Sequence, residues 1–142
     1  MTITVRPPTV FDAQVLAALA AELGYAARPE EMRARLAALP PSHFVAVAEI
    51  KGRVAGWVQA EHRVNLETGD KAELVGLVVA AAARRAGIGA ALVRAAEQWA
   101  AKRGLRSIVV RSNATRAESH DFFQRIGYAR TKSQHVYSKP LS

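Results

Sequence analysis

The segment Val79-Ala80-Ala81-Ala82-Ala83-Arg84-Arg85-Ala86-Gly87-Ile88-Gly89-Ala90 holds residue types that could do chemistry at their observed spacing. An apolar run ends at Val79, a loop with two arginines follows, and a helix opens on two glycines. The start of a helix presents backbone N–H groups without intrahelical partners, and a partial positive charge. Glycine lets a ligand approach those groups closely. Arginine adds forked donors that match phosphate oxygens. Arg84, Arg85, Ala86, Gly87, Ile88, Gly89 and Ala90 therefore form a candidate pyrophosphate site. A dinucleotide fingerprint fits less well. Leu92 stands where the third glycine would be, and Gly87 lies eight residues past Val79. No acid occupies a ribose-binding position in the next strand, Ser107 to Arg111.

Other chemistries are disfavoured. The chain has no cysteine, which excludes a thiol nucleophile, a disulfide framework and a Cys-rich zinc site. His43, His62, His120 and His135 are far apart and form no H-x-x-x-H pair, so no metal is expected. Lys and Arg number 20 against 12 acids, a formal charge of +8. The bases are scattered rather than run together, so no nucleic acid is expected as a partner. A local Arg pair suits a polyphosphate-bearing cofactor equally well. No signal-peptide pattern opens the chain, and no apolar run approaches the ~20 residues of a membrane span. A soluble, cytoplasmic protein with no membrane partner is expected.

The elements that must position this loop read clearly. The 142 residues suit one domain, 1–142. Ile3 to Arg6 reads as a strand, and Thr9-Val10-Phe11-Asp12 as a capping box opening a helix over Phe11, Val15, Leu16, Leu19 and Leu23. Pro29-Glu30-Glu31 opens a second helix with Met32, Leu36 and Leu39 on its apolar side. His43–Ile50 and Val54–His62 form a hairpin about Lys51-Gly52. Ala72–Val79 reads as a central strand. A helix from Gly87 to Gly104 follows, then a strand Ser107–Arg111. A second capping box, Thr115 to Glu118, opens a helix with Phe122, Phe123 and Ile126. Tyr128–Tyr137 supplies one or two final strands. The predicted class is α/β (α+β), order β-α-α-β-β-β-α-β-α-β(-β). Its mixed central sheet has six to seven strands flanked by about four helices, antiparallel in its first half with a parallel crossover.

The Arg84, Gly87 and Gly89 positions match [QR]-x-x-G-x-[GA], and the segment resembles the acetyl-CoA-binding motif of the GNAT N-acetyltransferase superfamily. Ser112-Asn113, Ser119-His120-Asp121-Phe122-Phe123 and Gly127-Tyr128 look like that family's second block. The resemblance covers nearly the whole chain and implies a GNAT fold. It implies that the backbone of Leu77, Val78 and Val79 pairs with the pantetheine arm in a splay between two parallel strands. Arg84 to Ala90 would then hold the pyrophosphate. Asn113 and Phe123 would contact the cofactor.

The implied reaction is transfer of the acetyl group of acetyl-CoA to a primary amine of a small molecule, by direct attack in a ternary complex. Aminoglycoside- and polyamine-like amines are among the candidates. An amine attacks a thioester only as the free base, and alkyl amines of pKa about 10.4 are protonated at neutral pH. Glu73 is the best candidate base. It lies six residues before Val79, and its spacing from Gly87 is similar to that of the catalytic glutamate in the histone-acetylating branch. Glu61 and His62 are alternatives, and strand alternation lets only one of them share the acceptor side. Phe123 departs from the family, which often has a tyrosine there to protonate the leaving thiolate. Ser119, Tyr128 or Tyr137 could substitute, or the thiolate could leave with modest help. A catalytically silent acyl-CoA-binding protein and a protein lysine or N-terminal acetyltransferase stay open as alternatives, as does a homodimer through the C-terminal strands.

Overall fold

The computed structural model describes residues 2–111 and 117–142, the side chains of Ala117 and Glu118 excepted. The chain divides into two units, one running to Val110 and one from Arg111 to Ser142.

The first unit carries the sheet. It runs β1 (Ile3–Arg6), a one-turn 3-10 helix (Val10–Asp12), α1 (Ala13–Glu22), α2 (Pro29–Ala38), β2 (His43–Ile50), β3 (Arg53–Asn65) and β4 (Gly69–Val79). A 3-10 turn (Ala81–Ala83), α3 (Ile88–Lys102) and β5 (Ile108–Val110) complete it. The strands lie in the order β1-β2-β3-β4-β5. β1 to β4 are antiparallel to their neighbours, and β5 joins β4 in parallel. The α3 crossover makes the parallel pairing possible, since a hairpin joins only antiparallel strands.

The two faces of the sheet are covered differently. A Cβ on Gly56 would meet Ile88 and Leu92 of α3, so Gly56, Val58, Ala60 and His62 of β3 face that helix. Phe44 of β2 stacks on Trp99 of α3, with ring centroids 5.5 Å apart, on the same side. Val58, Ile88, Leu92 and Val93 are fully buried there. Glu49 of β2 lies on the opposite face, where Arg6 bonds it at 2.8 Å. Arg6 also reaches both carboxylate oxygens of Asp12, at 2.9 and 3.0 Å, which ties the start of α1 to this face.

The Thr9–Asp12 capping box is present: the Thr9 N–H donates to Asp12 at 2.7 Å, and Thr9 Oγ1 accepts from Phe11 N. It opens a 3-10 turn that leads into α1. Phe11, expected on the apolar side of that helix, is 90% exposed because it stands in the turn. Asp12 is buried, and the hydrogen bond from Arg6 holds its carboxyl below the usual carboxylate range. A lowered folded-state pKa stabilises the fold above the unfolded value near 3.8, and the contribution is lost as pH falls below it. Replacing Asp12 with Ala should cost about 2 kcal/mol at pH 7, a fall of about 6 °C in melting temperature. The difference between the two proteins should shrink in melts below pH 3.

The second unit contains α4 (Ala117–Arg125), ended by Gly127 at φ +99°. No strand forms over residues 128–142, so the described sheet has five strands and not six to seven. The reason lies in composition. Arg130-Thr131-Lys132-Ser133-Gln134-His135 has no apolar alternation with which to bury one side of a strand, and residues 129–142 are exposed. The Thr115–Glu118 capping box begins outside the described residues.

Candidate functional site

The loop between β4 and α3 has the geometry of an anion cradle. Gly87, the N-cap of α3, sits at φ +85°, a conformation in which a side chain is strained. The first bond of the helix runs from Ala91 N to Gly87 O at 3.1 Å. The N–H groups of Gly87, Ile88, Gly89 and Ala90 are thereby left without intrahelical acceptors. Ile88 is buried and anchors the helix start against the sheet. Arg84, Arg85, Ala86 and Gly87 are exposed. Arg85 adopts φ +69°, which turns the chain just before the cap. A depression of about 580 Å³ is lined by both arginines together with Ile50, Lys51 and Arg53 from the β2–β3 turn. None of these four cations has an ion-pair partner among the described residues. At the other end of the loop, Ala81 N donates to the Glu22 carboxylate at 3.0 Å, fastening it to the C-terminus of α1.

β4 opens beside this loop. Its ladder with β5 comprises Ala72, Glu73 and Leu74 only. Gly76, Leu77, Val78 and Val79 are paired with β3 and have no ladder to β5. Gln59 pairs with Gly76 but Ala60 pairs with Leu74, so Val75 is a β-bulge. The bulge stands where the β5 pairing stops, and Val75 is 43% exposed. An extra residue increases local twist, which separates the two strands.

The bulge also sets the direction of Glu73. Continued from Trp57↔Val78, regular pairing would set Glu73 opposite His62, on the α3 side. With Val75 inserted, Glu73 lies opposite Glu61. It shares that face with a row of polar side chains. Arg63 Nη1 donates to Glu73 Oε1 at 3.0 Å, and Arg63 Nε lies 3.5 Å from Glu61 Oε1. His43 Nε2 lies 3.0 Å from Glu61 Oε2, and His43 Nδ1 accepts from Gln59 at 3.1 Å. His43 thus bridges Gln59 and Glu61 through its two ring nitrogens. Glu73 is 8% exposed, and Glu61 is half-buried. His43, Gln59 and Arg63 carried no motif, and only the cross-strand register brings them to Glu73.

His62 is engaged on the α3 side. Its Nδ1 accepts from Arg103 Nε at 3.2 Å, which leaves Nε2 to donate to Asp70 at 3.0 Å. It joins α3 to the sheet and does not share the face of Glu73. In the second unit, Phe123 meets Phe122 and Tyr128 edge-to-face, with centroids 5.0 and 5.5 Å away. Asn113 lies outside the described residues. Among the described residues no group of three His, Cys, Asp or Glu could hold a metal, and no helix is long and apolar enough to cross a membrane.

These features are those of an acyl-CoA-dependent transferase. Residues 13–128 match the acetyltransferase (GNAT) family model, and the chain belongs to that family. An aminoglycoside N(6')-acetyltransferase type 1 from Klebsiella aerogenes is 33% identical over 107 residues, covering 73% of this chain and 70% of the relative. Among solved structures, AAC(6')-Iy in complex with the bisubstrate analogue CoA-S-monomethyl-acetylneamine superposes with a TM-score of 0.87 at 18% identity. That match covers 99% of each chain. A transcriptional regulator from Bacillus halodurans C-125 superposes at 0.88 with 20% identity, covering 97% of this chain and all of the other. Identities this low establish the fold alone. The family membership makes the protein an acetyl-CoA-dependent acyltransferase.

Proposed function

We propose that the protein acetylates a primary amine of a small molecule in a ternary complex, with Glu73 as the general base. The observation that carries this reading is the buried Glu73 carboxylate, turned by the Val75 bulge onto the sheet face beside the opening of β4. The amine nitrogen gives its proton to Glu73 and forms a bond to the thioester carbonyl carbon. The C–S bond breaks, and the thiolate leaves. Arg63 holds Glu73 in position through one carboxylate oxygen.

The residues present suit acetyl-CoA. The unpaired N–H groups of Gly87 to Ala90 and the guanidinium groups of Arg84 and Arg85 receive the pyrophosphate. The β4 edge at Leu77, Val78 and Val79, which has no ladder to β5 among the described residues, would take the pantetheine amides, and the family resemblance assigns Asn113 and Phe123 to the cofactor as well. When bound, acetyl-CoA supplies the electrophilic carbonyl. Tyr128, whose ring packs on Phe123, supplies a phenol beside the position where the family's acid is usually found. The protein works in the cytoplasm, and a homodimer is compatible with the exposed segment after Tyr128.

Release of CoA, followed with a thiol reagent over a panel of amines, tests the reading, and the lack of cysteine keeps the background low. Turnover on one amine class supports it. Failure to bind acetyl-CoA by calorimetry refutes it. Arg84→Ala should weaken acetyl-CoA about tenfold, as loss of a charge-assisted phosphate contact does. The variant should also show a shallower decline of affinity with salt across a calorimetric titration series.

A further inference from the structure

Two elements bring their cations to one hollow. Arg84 and Arg85 of the β4–α3 loop and Lys51 and Arg53 of the β2–β3 turn all line the depression of about 580 Å³. The rest of its lining is alanine and isoleucine, and no carboxylate contributes to it. Glu22 bonds the loop at Ala81, outside this lining. Like charges gathered with no acid between them repel one another, and a ligand of opposite sign relieves that repulsion.

The backbone is strained at two of these cations. Lys51 sits at φ +52° and Arg85 at φ +69°. Apart from Ser142 at the C-terminus, no other non-glycine residue among the described residues has a positive φ. Left-handed backbone suits glycine, asparagine and aspartate, and a long side chain is disfavoured there. Lys51 is the first residue of a two-residue turn between the paired Ile50 and Arg53, and Gly52 follows it at φ +75°. Positive φ at both central residues is the type I′ geometry, in which asparagine before glycine is preferred. A lysine in that place gives up turn stability and sets an ammonium group on the hollow.

The N–H groups at the start of α3 and the two loop arginines are enough for a pyrophosphate. Lys51 and Arg53 belong to a different element and call for a further anion. CoA carries one, a phosphate monoester on the 3′-oxygen of its ribose, with a charge of about −1.5 to −2 at pH 7. We infer that Lys51 and Arg53 bind this 3′-phosphate, so that the β2–β3 turn distinguishes acetyl-CoA from its dephosphorylated form. Only a ribose separates the 3′-phosphate from the pyrophosphate, and the hollow shares Arg84, Arg85 and Ala86 with the segment that leads into the Gly87 cap. Its volume falls in the ~300–1,000 Å³ range of small-ligand pockets, which admits the nucleoside as well as its phosphate. This rests on the reading that places the pyrophosphate at the start of α3.

Calorimetric titration with acetyl-CoA and with acetyl-3′-dephospho-CoA tests the assignment. Both side chains are exposed and screened, so loss of the 3′-phosphate should weaken binding about tenfold and not by the full worth of a buried contact. Lys51→Asn and Arg53→Gln should each bring the ratio of the two affinities to about threefold, and the double substitution to within about twofold of equality, by weakening acetyl-CoA alone. A general loss of positive charge would instead weaken both ligands in step, because both keep the pyrophosphate. Arg84→Ala should do that. Lys51→Asn also relieves the turn, so this variant should melt about 2 °C higher while it loses discrimination, which shows that it is folded. Equal affinities in the unaltered protein, or a ratio that survives both substitutions, overturns this inference and leaves the acetyltransferase reading standing. Failure of both ligands to bind overturns the two together.

Discussion

Glu73→Gln should lower kcat by about 10²- to 10⁴-fold, the range of a positioned general base. Acetyl-CoA affinity should stay within about twofold, because the substitution keeps size and leaves a carbonyl oxygen to accept from Arg63. The pH profile separates a base from a structural carboxylate. Without the base, the amine must lose its proton to water before it binds productively. The residual rate should then climb about tenfold per pH unit toward the amine pKa, near 10.4 for an alkyl amine. The unaltered protein should show a flatter profile over the same range. Glu73→Ala is less informative, since it strands Arg63 beside a cavity and mixes chemistry with stability. Stopped-flow CoA release and calorimetric titration of both proteins provide the comparison. A kcat within threefold of the original would remove Glu73 from the chemistry.

The parts of the fold that could be read from the chain are those where local physics decides. Ile3–Arg6 forms the expected strand, Pro29 opens α2, Gly104 ends α3 at φ +81°, and Gly87 takes the left-handed cap. Each of these rests on a proline, a glycine or a helical period. The polar row on the sheet was hidden because it is a product of register. Alternation carried back from Val78 would put Glu73 on the α3 side, and one bulge residue, Val75, reverses that. His43 and Arg63 are separated by twenty positions and look like ordinary strand residues, yet both bond to Glu61 or Glu73. The choice between Glu61 and His62 turned on the same register. The final strands were overestimated for the opposite reason. Val136 and Tyr137 are β-formers, but both are exposed and lack flanking apolar partners. β-propensity expresses packing on a half-buried surface, and here no such surface is formed.

Gly56→Ala should be the most damaging small substitution in the sheet. A Cβ there would lie 2.8 Å from the Val78 carbonyl oxygen, 3.1 Å from Ile88 Cγ2 and 3.2 Å from Leu92 Cδ1. The first neighbour is backbone of β4, so the strand itself must shift. The other two are fully buried side chains of α3, one of them at the start of the helix. Gly76 presents a contrast. Its nearest contact is the Trp57 ring at 2.9 Å, a side chain that can pivot. Overpacking a core costs about 1–3 kcal/mol, and a clash with backbone belongs at the top of that range. Gly56→Ala should therefore melt about 9 °C lower, and Gly76→Ala about 3 °C lower. Trimming Leu92 to Ala should not rescue Gly56→Ala, because the carbonyl contact persists and a cavity is added. The displaced parts are Val78 and the α3 N-terminus, so acetyl-CoA affinity should fall more in Gly56→Ala than in Gly76→Ala. Equal melting temperatures for the two variants would show that β3 and β4 can separate at Val78 at little cost, and that the close approach of α3 to the sheet is not what holds the phosphate loop in place.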